Sequence, residues 1–151
     1  MIFVTEMEVM QGTEKAEGIL KSNGLRKTQI RLEMLQIFMG SKHALSVNDL
    51  EKDLKSSHDR VTIYRALNSF EENGILHQTP DPNGNMRYAM CSDSCPEHIH
   101  QDKHAHFICE GCHQTYCLED VRIPDVKLEN GYQLNSISYT MKGICKECQP
   151  V

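Results

Sequence analysis

Apolar residues in the first half of the chain recur at helical spacing. Residues 1–12 show neither a helical nor a strand period and are expected to form a loose arm. Over 14–22 the inward positions are Ala16, Ile19 and Leu20, and Asn23-Gly24 supplies a C-terminal stop. A second helix is expected from an N-cap at Thr28 to Gly40, turning Ile30, Met34, Leu35, Ile37 and Phe38 inward. A third, of two or three turns, starts at Ser46, where Asp49 completes a capping box and Val47, Leu50 and Leu54 form the stripe. The fourth, over 59–73, has the clearest pattern. Ile63, Ala66, Leu67 and Phe70 make one face, Val61, Tyr64, Arg65 and Asn68 the other, and Gly74 ends it.

Beyond Gly74 the period shortens to two. Residues 75–79 and 86–90 read as strands joined by a Pro-, Asp-, Asn- and Gly-rich turn over 80–85. Helices followed by a hairpin with a Gly-containing tip make a winged helix. Residues 91–103, rich in Cys, Ser, Asp, Pro and His, read as a linker. Strands follow at about 104–109, 114–118 and 134–142, and Ile137, Tyr139 and Met141 alternate with polar residues in the last, leaving one face free.

At 151 residues the chain accommodates two small domains, the second needing a staple. Hydrophobic content of 39 % and charged content of 25 %, without a long apolar run, exclude a membrane span. The start, Met-Ile-Phe-Val-Thr-Glu-Met-Glu, lacks the basic region of an export signal, so a reducing, cytoplasmic location is expected. A net charge of −5 and a pI near 5.9 argue against phosphate binding by the molecule as a whole. The acidic excess lies after residue 90, so the first ninety residues are free to present a local basic face.

The cysteines provide the staple. Cys109 with Cys112, and Cys145 with Cys148, are two Cys-x-x-Cys pairs that together offer the four thiolates of a closed tetrahedral zinc site. Disulfides are the competing reading, disfavoured by the odd total of 7 Cys. In His104-Ala105-His106-Phe107-Ile108-Cys109 the strand alternation sends His104, His106 and Ile108 to one face and Cys109 to the other. Two metal sites can therefore share one strand.

The exposed face of the fourth helix carries recognition chemistry: Arg65 for guanine edges or phosphates, Asn68 for adenine, Tyr64 for stacking or methyl contacts. The alternative is a solvated face that touches nothing. Helix bundle, wing, His-x-His-x-x-Cys-x-x-Cys and distal Cys-x-x-Cys, in that order, resemble the ferric uptake regulator family of metal-responsive repressors. Three blocks carry the resemblance: Gly24-Leu25-Arg26-Lys27-Thr28-Gln29-Ile30-Arg31, Val61-Thr62-Ile63-Tyr64-Arg65-Ala66-Leu67, and the stretch from His104 to Cys112.

The resemblance implies an α+β architecture: a winged-helix DNA-binding domain over 1–90, a linker over 91–103, and a small α/β dimerisation and metal-binding domain over 104–151 holding the four-cysteine zinc. It implies a homodimer gripping a palindromic double-stranded operator, with no membrane and no small-molecule substrate. Arg26 and Arg31, with Thr28 beside them, are similar to phosphate contacts, and Tyr64 and Arg65 to residues at base edges and neighbouring phosphates. The dimerisation helix of better-known members is expected to be shortened or missing, because the segment after Cys117 is short and interrupted by Pro124.

Metal identity turns on departures from the family pattern. The histidine common before the third helix is displaced to His43, leaving Ala44 at the ligand position, and Ala89 and Ala105 stand where carboxylates are common. His77 on the first wing strand and Cys91 after the second are instead similar to the zinc uptake regulators of the family. A regulatory set of His77, Cys91, His104 and His106 suits tetrahedral Zn2+ better than octahedral Fe2+. The bland reading of His77, a wing histidine facing water, stays open. So do second-tier ligands: Cys117, where a glutamate is common, and Cys95, His98 and His100 in the linker, with His113 nearby.

Two of the proposed regulatory ligands belong to the wing and two to the following strand, so metal would clamp the domains across the linker and shift the population toward a DNA-binding form. An iron-sensing repressor is the alternative within the class, and a zinc-ribbon protein adaptor the alternative outside it. An enzyme is not expected: neither a zinc-hydrolase nor a deaminase motif is present.

Overall fold

The computed structural model describes residues 6–55, 58–90, 105–135 and 137–150. Four helices come first: α1 (Glu6–Ser22), α2 (Gln29–Gly40), α3 (Val47–Asp53) and α4 (Arg60–Glu72). The strands are β1 (Leu76–Thr79), β2 (Arg87–Met90), β3 (Ala105–Cys109), β4 (Thr115–Leu118) and β5 (Thr140–Gly143).

The helical stripes converge as the spacing predicts. On α4, Ile63, Ala66, Leu67 and Phe70 are all buried, facing Ile30, Met34, Leu35 and Phe38 of α2 and Val47 and Leu50 of α3 in one cluster. The helix ends are chemically specified. Asp59 caps α4 by accepting from the Thr62 N–H at 2.7 Å, and a Schellman motif closes it, with Ile75 N–H donating to Phe70 O at 2.8 Å and Gly74 at φ +73°. The capping box of α3 is complete, Ser46 Oγ accepting from the Asp49 N–H and the Asp49 carboxylate accepting from the Ser46 N–H at 2.9 Å. Burial pushes the Asp49 carboxyl up, but the Ser46 bonds, with Arg87 and Lys52 nearby, outweigh it and leave the group below its ordinary value. Ser46→Ala is expected to cost about 1 kcal/mol in urea unfolding.

One expectation is corrected at the start of the chain. Residues 6–12, read as part of a loose arm, are the first turns of α1. Met7, Val9 and Met10 are 70 %, 52 % and 62 % exposed, so these turns bury no stripe and carry no period. They persist because extending an existing helix needs no new nucleus and because Glu6 and Glu8 complement the dipole.

Strands β1 and β2 pair antiparallel, with His77 opposite Ala89, and Leu45 adds a bridge to Tyr88 through two 2.8 Å bonds. The turn between them is organised by Asp81, which accepts from the Asn83 and Asn85 N–H groups and pairs with Arg87 at 2.7 Å.

The second sheet has the order β4-β3-β5, with β4 antiparallel and β5 parallel to β3. The strand expected over 134–142 is only Thr140–Gly143, shifted to the end of the alternating stretch, and Met141 is 39 % exposed. Tyr139 still pairs at this edge, its carbonyl accepting from the His106 N–H at 2.9 Å. Residues 119–131 contain no helix, in line with the proline there. The helical part of the expected α/β domain is therefore absent among the described residues, and the C-terminal unit is a three-stranded sheet.

Thr115 at the head of β4 joins the two units. Its carbonyl accepts from the Ala44 N–H at 2.8 Å and its hydroxyl donates to Pro80 O at 2.8 Å, while Arg87 reaches Gln114 Oε1 at 2.7 Å.

Candidate metal centres and nucleic-acid interface

The register of β3 against β4 creates two faces with different chemistry. Phe107 pairs with Tyr116 and shares a face with Cys109, whereas His106 pairs with Cys117 on the other.

On the first face, Cys109 ends β3, Cys112 lies in the turn after it, and Cys145 and Cys148 follow β5. Their four sulfurs lie within 4.8 Å of one another, and Cys112 and Cys145 are 3.9 Å apart. Zinc–sulfur bonds in a tetrahedron separate the sulfurs by about 3.8 Å, so this donor set fits zinc. The N–H groups of Gly111, Cys112 and Cys145 point at Cys109 Sγ from 3.3, 3.5 and 3.3 Å. Those bonds, the Cys145 N–H first, bring the Cys109 thiol down to about 6, while sharing of protons with Cys145, together with burial, pushes Cys148 up to about 12. Burial, and then Cys112 and Cys145, raise the Tyr116 phenol, keeping it a neutral donor. Gly111 is needed for closeness: a Cβ there would stand 3.1 Å from Cys148 Cβ and 3.2 Å from its sulfur.

On the second face, His77 of β1, His106 of β3 and Cys117 of β4 converge, their donor atoms within 4.8 Å of one another. His77 Nε2 and Cys117 Sγ are 3.3 Å apart, near the roughly 3.5 Å expected for a nitrogen and a sulfur on one tetrahedral zinc. The two imidazoles lie 5.9 Å apart and tilted by 44°, and both are buried. His77 is therefore not a wing histidine facing water. Cys117, second-tier by sequence, stands with His77 and His106, and the cross-strand pairing with His106 is the signal that sequence reading lacked.

Cys91, His104, Cys95, His98 and His100 lie outside the described residues. Ala44, Ala89 and Ala105 are buried, so methyl groups occupy the positions where the family pattern has imidazole or carboxylate ligands. Neither metal-competent cluster among the described residues contains a carboxylate. His43 joins neither: its Nδ1 lies 3.0 Å from Ala44 O and its ring meets Tyr116 edge-on at 6.2 Å. His113 is exposed in the turn after Cys112.

The outer face of α4 presents Tyr64, Arg65, Asn68 and Val61 to solvent, Tyr64 at 41 % and Val61 at 58 % exposure. Arg26 is exposed, and Thr28 occupies the N-cap of α2 without using its hydroxyl as the cap. Arg31 bridges the elements, donating to Arg26 O at 2.8 Å and Ser69 Oγ at 3.2 Å, and so fixes the start of α2 against α4. Arg60, at the foot of α4, is held by a bidentate pair with Glu51 of α3 at 2.9 and 3.0 Å.

The chain is similar to known proteins in both sequence and fold. Residues 22–143 match the model of the Ferric uptake regulator family. The Ferric uptake regulation protein of Staphylococcus epidermidis is 30 % identical over 141 residues, covering 91 % of this chain and 96 % of that protein. Its Staphylococcus aureus counterpart is also 30 % identical, over 91 % of this chain and 98 % of its own length. Among solved structures, a zinc uptake regulator complexed with zinc and DNA superposes with a TM-score of 0.63 at 24 % identity, covering 92 % of this chain and 93 % of that one. The ferric uptake regulator of Pseudomonas aeruginosa with manganese gives 0.58 at 20 % identity, over 87 % and 98 %. The winged helix, the paired Cys-x-x-Cys motifs and the match over 22–143 make this chain a member of the ferric uptake regulator family.

Proposed function

We propose that this metal-responsive regulator is a zinc sensor that represses transcription, binding a palindromic operator as a homodimer with metal loaded. The observation that carries the reading is the cluster of His77, His106 and Cys117, two imidazoles and a thiol with no carboxylate, drawn from both structural units. Such donors favour tetrahedral zinc over octahedral iron or manganese. Cys91 and His104 are the candidates for a fourth donor. When bound, the ion supplies a common centre for donors that otherwise belong to separate elements.

His77 sits on β1, directly after α4, and His106 and Cys117 sit on the C-terminal sheet. Holding them together fixes the angle between the DNA-reading helix and that sheet. A site complete only in this arrangement shifts the population toward it by the difference in affinity. Cys109, Cys112, Cys145 and Cys148 hold the structural zinc. Tyr64, Arg65 and Asn68 reach base edges, with Arg26, Thr28 and Arg31 at the backbone.

Exposed apolar side chains support pairing of two copies through the C-terminal unit: Val126, Leu128, Tyr132, Leu134, Met141 and Ile144 are 43 %, 48 %, 73 %, 46 %, 39 % and 43 % exposed, and β5 is a sheet edge. No helix among the described residues is long and apolar enough to cross a membrane, and we place the protein in the cytoplasm.

The test is DNA binding by metal-stripped protein, reloaded at its structural site, on a duplex selected from random sequence. Zinc is expected to tighten binding at least about fivefold, with affinity falling steeply as salt rises. Recovery with Fe2+ and not Zn2+ would instead establish the iron sensor suggested by the names of the staphylococcal relatives. Absence of any salt-dependent DNA binding would favour the protein adaptor.

A further inference from the structure

Tyr116 of β4 has a place in neither donor set, yet its hydroxyl meets one of them. The phenol oxygen lies 3.8 Å from Cys112 Sγ and 3.8 Å from Cys145 Sγ, and those sulfurs are 3.9 Å apart. One hydroxyl thus spans one sulfur from each Cys-x-x-Cys pair. The backbone N–H groups of Gly111, Cys112 and Cys145 converge instead on Cys109 Sγ. Four thiolates around one divalent cation leave a net charge of about −2, and hydrogen bonds to the sulfurs disperse that charge and orient the ligands. Tyr116 stands opposite Phe107 in the strand register, and its ring meets the edge of His43 at 6.2 Å, a contact independent of the thiols.

We propose that Tyr116 is a positioning residue of the four-cysteine site, its single hydroxyl proton shared between the Cys112 and Cys145 thiolates and holding the two Cys-x-x-Cys halves at metal-binding separation. The inference rests on the four-cysteine metal reading and is independent of which metal the second cluster senses. Tyr116→Phe removes the hydroxyl and keeps the ring against His43, so it isolates this contact.

The experiment uses the full chain. Zinc retention is measured by competition with a chromophoric chelator, and the thiolate-to-metal charge-transfer bands are recorded after replacing zinc by Co2+. Tyr116→Phe is expected to weaken zinc retention about 10- to 100-fold and to shift the bands, with the helical far-ultraviolet signal unchanged. Phe107→Leu, which alters the same sheet face at a side chain with no donor to offer a thiol, is the control and is expected to leave the bands in place. Retention within about twofold of wild type and unshifted bands in Tyr116→Phe would overturn the proposal. Equal losses and equal band shifts in both variants would overturn it too, assigning the effect to sheet packing. A wild-type chain lacking thiolate-to-cobalt bands would fail the four-cysteine reading itself, a distinguishable result.

Discussion

Replacing Cys117 with serine is expected to abolish most of the zinc-dependent gain in DNA affinity, a loss of about 5- to 150-fold at saturating wild-type zinc, while the metal-free affinity stays unchanged. The sulfur stands 3.3 Å from His77 Nε2 and belongs to the residue paired across the sheet with His106. Serine preserves the shape of the side chain but replaces a thiolate donor with a hydroxyl that stays protonated at neutral pH, a poor zinc ligand. His106→Ala removes a second donor and is expected to give the same loss, although it also opens a cavity because the ring is only 3 % exposed. The pair of variants separates ligation from packing. Titration of a labelled duplex with and without zinc is the measurement, and a Cys117→Ser protein that still tightens on DNA like wild type would remove this cysteine from the sensor.

The second large effect concerns the other cluster. Cys112→Ser is expected to unfold the C-terminal sheet and so to release both zinc equivalents per chain, since His106 and Cys117 stand on that same sheet, while the helical domain stays intact. The reason is the distribution of apolar burial. The hydrophobic core among the described residues comprises sixteen residues, all between Ala16 and Tyr88, whereas the C-terminal unit buries only Ala105, Ile108, Cys109 and Cys145 as apolar groups. So small a unit does not fold on burial alone, and in the proposed reading metal ligation supplies the difference. Hydrogen exchange is the direct readout: amides of β3–β5 should exchange as in an unfolded chain while those of α2 and α4 keep their protection. Retained protection in β3 would show that the strand pairing with β4 and β5 is self-sufficient.

Both expectations depend on features with different origins. The four-cysteine site was legible because two Cys-x-x-Cys pairs are local motifs, each able to bind one edge of a metal whatever the rest of the chain does. The helices were legible for a similar reason. Ile63, Ala66, Leu67 and Phe70 select their own face by a 3.6-residue period, and Ser46 with Asp49 closes a cap within four residues. Residues 6–12 escaped detection because a helix that buries nothing leaves no period to read.

Tertiary structure decided what depends on register between distant segments. Alternation along 104–109 separates His106 from Cys109, but it contains nothing about which residue of β4 lies opposite either of them. A slip of one residue would have placed Tyr116 with His106 and Cys117 on the face of Cys109. The observed pairing does the reverse, bringing His77 from 40 residues away onto Cys117 and setting the Tyr116 hydroxyl over two thiols. Short-range periodicity and donor chemistry specified the helical stripes, the faces they bury and the side chains able to hold a metal. Which donors come within reach of a common ion, and that those candidates come from the wing and the C-terminal sheet together, followed only from the long-range pairing of β3 with β4 and the docking of Thr115 between Ala44 and Pro80.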